Sequence, residues 1–233
     1  MPAAETQRIL RDLFVRWGLP HKMRVDNGSP WGSWSDLPTD LALWLIGLGV
    51  DMHWNTPNRP QENGVIERSQ GTAKCWAEPG ACASVTQLQK QLDYMDRIQR
   101  EVYAEKGKLT RLQTHPGLAH SGRFYTRVWE KSHWEFQQVV EHLAGYAVAR
   151  RIGPSGHISL YNRRYYVGVV HSQQYAQVMF DPEQQNWLVV DEDGRLLNRL
   201  AVKEMTEENV RNLRVTKKEN RPRSQYQKRK PAG

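Results

Sequence analysis

Cysteine is nearly absent from these 233 residues: there are two, Cys75 and Cys82, with six residues between them. That spacing fits neither a paired-cysteine metal knuckle nor a disulfide framework, and it predicts free thiols in a reducing, cytoplasmic setting. Long hydrophobic runs are missing as well. No apolar stretch reaches the roughly 20 residues that span a bilayer. The opening residues MPAAETQRIL show neither the charged start nor the apolar stretch of a secretory leader. No membrane partner is therefore expected. There are no internal repeats of useful length, so the chain is not a repeat array.

Acidic residues are in the minority, with 25 Asp or Glu against 33 Lys or Arg and a net charge of +8. The excess is not evenly spread. The tail from Thr216 to Gly233 carries seven Lys or Arg and one Glu, so six of the eight net charges sit there. Such a segment cannot bury enough apolar surface to fold and is expected to be disordered. It suits a polyanion, which it would bind by counterion release, or serves only as a solubilising tail. The rest is ordinary globular composition, 39% hydrophobic and 25% charged, long enough for one or two domains.

Hydrophobic spacing organises the chain. Ile9, Leu10, Leu13, Phe14 and Trp17 repeat at helical intervals and stop at Gly18. HKMRV reads as a short buried strand ending at Asp26. TDLALWLIGLG reads as a helix with Leu41, Leu45 and Leu48 on one stripe. VDMHW reads as a second strand, and a helix follows the loop NTPNRP. Helix, strand, helix, strand, helix implies an α/β layer with parallel strands. Residues 85–106 form another amphipathic helix, Thr114 to Arg127 reads as an irregular linker, and SHWEFQQVVEHL as a shorter helix. From His157 the period becomes two. HISLY, RRYYVGVV, YAQVMFD, NWLVVD and RLLNRL predict a small antiparallel barrel over residues 155–201. Its expected core is Ile158, Leu160, Tyr166, Val178, Phe180, Leu188 and Val190.

Two carboxylates stand out by context. Asp26 ends the first strand in RVDNGSPW, and Glu67 lies in the helix opening ENGVIER. Sites in open α/β sheets form beyond the carboxyl ends of the strands, where Asp26 stands and where a flanking helix could bring Glu67. Clustered carboxylates repel unless a cation neutralises them, and an all-oxygen site selects Mg²⁺ or Mn²⁺. Read separately, Asp-Asn-Gly is a common tight turn and Glu67-Arg68 a solvated helix face. The two occurring together, in this order, are more specific.

The stretches Asp26-Asn27-Gly28-Ser29 and Pro60-Gln61-Glu62-Asn63-Gly64-Val65-Ile66-Glu67-Arg68 resemble those of the DDE-type transposases and integrases, most closely bacterial insertion-sequence transposases. The resemblance implies a ribonuclease H-like core in which Asp26 and Glu67 are the second and third catalytic, metal-binding carboxylates. Forty residues separate them. The family's familiar shorter interval would point to Glu62, which precedes Asn-Gly and so lacks the motif position. Thr114-His115-Pro116 resembles an altered form of the family's threonine-proline motif. The C-terminal strands are similar to the small, SH3-like barrel of many members. The fold expectation is therefore α/β: the C-terminal part of a ribonuclease H-like core over 1–110, a linker and helix over 111–150, a small antiparallel barrel over 151–215, and a basic disordered tail over 216–233.

One departure bears on activity. The family's first aspartate lies on a strand upstream of the first helix, whereas Asp12, the only aspartate before Asp26, sits in the helical pattern LRDLF. The resemblance thus implies a chain truncated at its N-terminus, with two of three carboxylates, inactive alone in phosphodiester transfer with two Mg²⁺ or Mn²⁺ ions. The alternative is a non-catalytic DNA-binding remnant. Implied partners are element-end and target DNA, and a homo-oligomer or an upstream fragment supplying the missing strands. Expected DNA contacts are Lys74, two turns beyond Glu67 on the same helix face, Arg163 and Arg164 on the barrel, and Lys217, Lys218, Arg221, Arg223, Lys228, Arg229 and Lys230 in the tail. Lys74 reads equally as a solvated lysine, and Arg163-Arg164 as an exposed hairpin turn.

Overall fold

A computed structural model describes residues 1–32, 36–57, 59, 61 and 64–217. They form a mixed α/β chain of two compact units that divide between Gly145 and Tyr146. Among the described residues no helix is long and apolar enough to cross a membrane.

The first unit opens with α1 (Ala3–Trp17), whose Leu10 and Phe14 are buried while Leu13 stays exposed. Gly18 ends it at φ 80°, and a Cβ there would fall 2.3 Å from Ser121 Oγ, so only glycine fits this turn. Strand β1 (Lys22–Val25), helix α2 (Asp40–Gly47) and strand β2 (Asp51–Trp54) form a crossover unit. The strands pair in parallel, with Lys22 opposite Asp51 and Val25 opposite Trp54. Of β1 only Val25 is buried, so the expected buried strand is instead largely exposed, its Lys22 and Arg24 facing solvent. Thr39 caps α2 by accepting from the Ala42 N–H at 3.3 Å. All eight residues of α2 are buried, so the expected single stripe understates it: the helix is apolar on every side because it lies inside the unit.

Helix α3 (Gly64–Ala77) packs on α4 (Val85–Glu101). The sequence pattern carries α4 to residue 106, but the helix stops at Glu101. A short hairpin of β3 (Ala104–Lys106) and β4 (Leu109–Thr110) follows, turning at Gly107. Helix α5 (Arg111–Thr114) begins with a reciprocal Thr110–Gln113 capping box.

SHWEFQQVVEHL contributes to two helices rather than one, α6 (Arg127–His133) and α7 (Phe136–Ala144). The break has a tertiary cause. The Trp134 indole N–H donates to the Trp44 carbonyl at 2.9 Å and the Glu135 N–H to the Gly47 carbonyl at 2.9 Å, so the end of α2 claims the residues between the helices. Just before them, the Arg123 guanidinium donates to the carbonyls of Pro20, Leu48 and Gly49 at 2.8–3.1 Å.

The second unit is antiparallel. A four-stranded sheet is ordered β10 (Leu196–Ala201), β9 (Asn186–Val190), β8 (Tyr175–Asp181), β5 (Ala147–Arg151). β6 (His157–Leu160) and β7 (Arg163–Tyr166) make a separate ribbon joined at Tyr161-Asn162, both at positive φ as a two-residue primed turn requires. Helix α8 (Glu207–Arg211) follows. β5, from AVARR, has no period-two apolar pattern and escapes the sequence reading. The strands do not close into a barrel: β7 and β10 are both sheet edges.

The expected core is half right. Ile158, Leu160, Val178 and Phe180 are buried, but Trp187 and Val189 point inward in place of Leu188 and Val190, and Tyr166 is 53% exposed. Pairing explains the slip. Phe180 lies opposite Trp187 and Val178 opposite Val189, and residues directly opposite share a face. In the ribbon, Ile158 opposite Tyr165 and Leu160 opposite Arg163 put Tyr165 and Arg163 on the inner face.

Candidate functional site

The Asp-Asn-Gly turn stands directly beyond β1. Asp26 Oδ1 accepts the Gly28 N–H at 3.0 Å, closing an Asx turn. The turn is also tied to the neighbouring strand. Asn27 Nδ2 donates to the Asn55 carbonyl at 2.8 Å, Asn55 N–H donates to Val25 O at 2.9 Å, and Arg24 Nε donates to Asn55 Oδ1 at 2.7 Å. Asn55 is buried and thereby locks the carboxyl ends of β1 and β2 together. Sequence reasoning passed over it; the signal available was a polar residue ending the strand pattern VDMHW. Trp54 Nε1 closes the loop from above by donating to Trp31 O at 3.0 Å.

The segment after β2 leads into α3, where Glu67 occupies the first turn and favours the positive end of the helix dipole. Pro60, Glu62 and Asn63 of its motif lie outside the described residues. In α3 only Ala77 is buried; Val65, Ile66, Glu67 and Lys74 are all exposed. Glu67 therefore faces solvent, not the core, and so does Asp26. No hydrogen bond joins the two side chains, and among the described residues no group of three or more His, Cys, Asp or Glu is placed to hold a metal ion.

The two ends of the strand pair differ electrostatically. At the amino end Asp51 is matched by Lys22 at 3.3 Å and His53 at 2.8 Å. The His53 hydrogen bond, and then Lys22, hold the Asp51 carboxyl below its ordinary range. Beyond the carboxyl end, neither Asp26 nor Glu67 makes an ion pair among the described residues. Asp12 is on α1, paired with Arg127 at 2.9 Å and Arg8 at 3.4 Å.

The expected DNA contacts separate. Arg164 is exposed, donating to Ser155 Oγ at 2.9 Å. Arg163 has a side chain only 17% exposed, 3.8 Å from the fully buried Glu204, which also accepts from the Tyr165 hydroxyl and, at 3.5 Å, from Trp187 Nε1. The expected exposed hairpin turn thus holds for one of the two, because cross-strand phase turns the other inward. Lys217 is exposed, while Lys218, Arg221, Arg223, Lys228, Arg229 and Lys230 lie outside the described residues. Cys75 and Cys82 are free thiols. No family model matches the chain.

Proposed function

We propose that this chain is a DNA transposition and integration protein of the DDE type. Its first unit is a ribonuclease H-like arrangement, and its second an SH3-like fold left open between β7 and β10. The observation that carries the reading is the in-register parallel pairing of β1 and β2, with Asp26 directly after the first strand and the segment after the second leading into the helix that bears Glu67.

The donors fit a divalent ion. Mg²⁺ is commonly held by one or two carboxylates together with waters and phosphate oxygens. Asp26, with one oxygen engaged by Gly28, and the solvent-facing Glu67 are the two carboxylates that this reading assigns to the ion. Bound there, Mg²⁺ or Mn²⁺ would polarise a phosphodiester and activate the attacking water or 3′-hydroxyl. Asn55 and Asn27 hold the Asp26 turn in place, and Lys74 neutralises a phosphate of the DNA end. A third carboxylate comes from another segment or a partner chain, since Asp12 is committed to Arg127 and Arg8. The chain alone therefore binds element-end and target DNA without joining them.

Strand transfer with a labelled DNA end in Mn²⁺ tests this, run on this chain and on one extended upstream by a strand bearing an aspartate. Joining only by the extended chain, lost with Glu67→Gln, is expected. Joining that survives Glu67→Gln, or none by either chain, overturns the reading.

A further inference from the structure

We propose that the cleft between β7 and β10 takes up an extended acidic polypeptide as an added strand. The observation is two strand edges facing each other across a gap. β7 pairs only with β6 and β10 only with β9, and among the described residues no backbone hydrogen bond joins the two edges. The edges run antiparallel: the Asn198 side-chain amide reaches across to the Tyr166 and Val167 carbonyls at 3.3 and 3.2 Å, while Arg163, at the start of β7, lies 3.8 Å from Glu204, just past the end of β10. Between them is a cleft of about 570 Å³, within the range of ligand-binding clefts.

The lining selects the occupant. No Asp or Glu is among the lining residues. Arg199 is shared with Asp181 and Gln184, but Arg164 and Lys203 are exposed and have no carboxylate partner among the described residues. Leu200 and the half-exposed Tyr166 add apolar surface. The cleft is thus complementary to negative charge. A strand edge offers N–H donors and C=O acceptors in alternation. A nucleic acid backbone uses the donors and the cations only, whereas an extended peptide satisfies both, with its carboxylates over Arg164 and Lys203. The Asn198 bonds to the Tyr166 and Val167 carbonyls span the cleft, and the added strand replaces them.

The test uses the full chain and a dye-labelled eight-residue peptide of alternating Glu and Val, followed by fluorescence anisotropy. Three further probes are the same peptide with Lys for Glu, the same peptide with alternate backbone amides methylated, and an eight-nucleotide oligothymidylate. Saturable binding is expected. It should weaken about tenfold or more with the lysine peptide, with the methylated peptide and with the double variant Arg164→Glu, Lys203→Glu. Backbone amides of 163–166 and 198–201 should slow in hydrogen exchange when the Glu-Val peptide is bound. Equal binding of the methylated peptide, competition by the oligothymidylate at these residues with greater affinity, or no saturable peptide binding overturns the proposal. The lysine peptide tests the charge on the unaltered chain should the double variant fail to fold.

Discussion

Replacing Glu130 by Gln should weaken the first unit more than any other single-charge change there. Glu130 is 4% exposed and accepts from Arg11 Nε and Nη2 at 2.9 and 2.6 Å, from Trp44 Nε1 at 3.0 Å and from the Tyr125 hydroxyl. It links α1, α2 and α6 at one carboxylate. Glutamine keeps the shape but has one acceptor oxygen where the carboxylate has two, so one of the two Arg11 bonds is lost to an amide NH2 and the other goes to an uncharged oxygen, each change costing about 1 kcal/mol or more. It also leaves a guanidinium without its counter-charge. Breaking a fully buried pair costs about 3–5 kcal/mol. The Arg11 side chain is 26% exposed and lies over the Trp44 ring at 5.2 Å, so water and the ring recover part of that. The expected loss is about 2–4 kcal/mol. At a urea slope of about 2 kcal/mol/M the midpoint falls by about 1–2 M. Both units contain tryptophan, so the transition is best followed by hydrogen exchange of the α2 amides. The pH dependence gives an independent sign. Burial pushes the Glu130 carboxyl up, but the bonds from Arg11, Tyr125 and Trp44 outweigh it and the net shift is downward. A depressed folded-state pKa means stability present above the ordinary value of about 4.3 and lost as pH falls through the folded one. The gap between parent and Glu130→Gln should therefore narrow below about pH 4. A midpoint change under about 0.3 M, or a gap that widens in acid, would refute the assignment of Glu130 as the ionised centre of the unit.

A Cβ on Gly47 would fall 2.2–2.5 Å from three atoms of the Trp134 indole, itself held by the Trp44 carbonyl. Gly47→Ala should cost about 1–3 kcal/mol by overpacking and lower the melting temperature by several degrees; an unchanged melt would mean that Trp134 moves aside freely. Deleting residues 218–233 removes six Lys or Arg and should flatten the salt dependence of duplex DNA binding by up to about 5 in log–log slope, leaving sequence preference alone. An unchanged slope would reduce the tail to a solubiliser.

What the sequence determined by itself was local. The strand-helix-strand order and the parallel pair were legible because two short segments, HKMRV and VDMHW, in which apolar residues alternate with polar ones flank an apolar helix, and a crossover leaves few alternatives. The placement of Asp26 just beyond a strand and Glu67 on a helix was legible for the same reason. Tertiary contacts decided the rest. The faces of β7 and β9 were set by which cross-strand partners were already buried, and NWLVV and RRYYV offer apolar or aromatic side chains in both phases. That choice sent Arg163 to Glu204 and left Arg164 in solvent. The break between α6 and α7 was made by bonds from Trp134 and Glu135 to the end of α2, about ninety residues earlier in the chain. The lock at Asn55 and the gap between β7 and β10 have the same origin: hydrogen bonds between distant segments, made or left unmade, carry no period that a linear pattern can show.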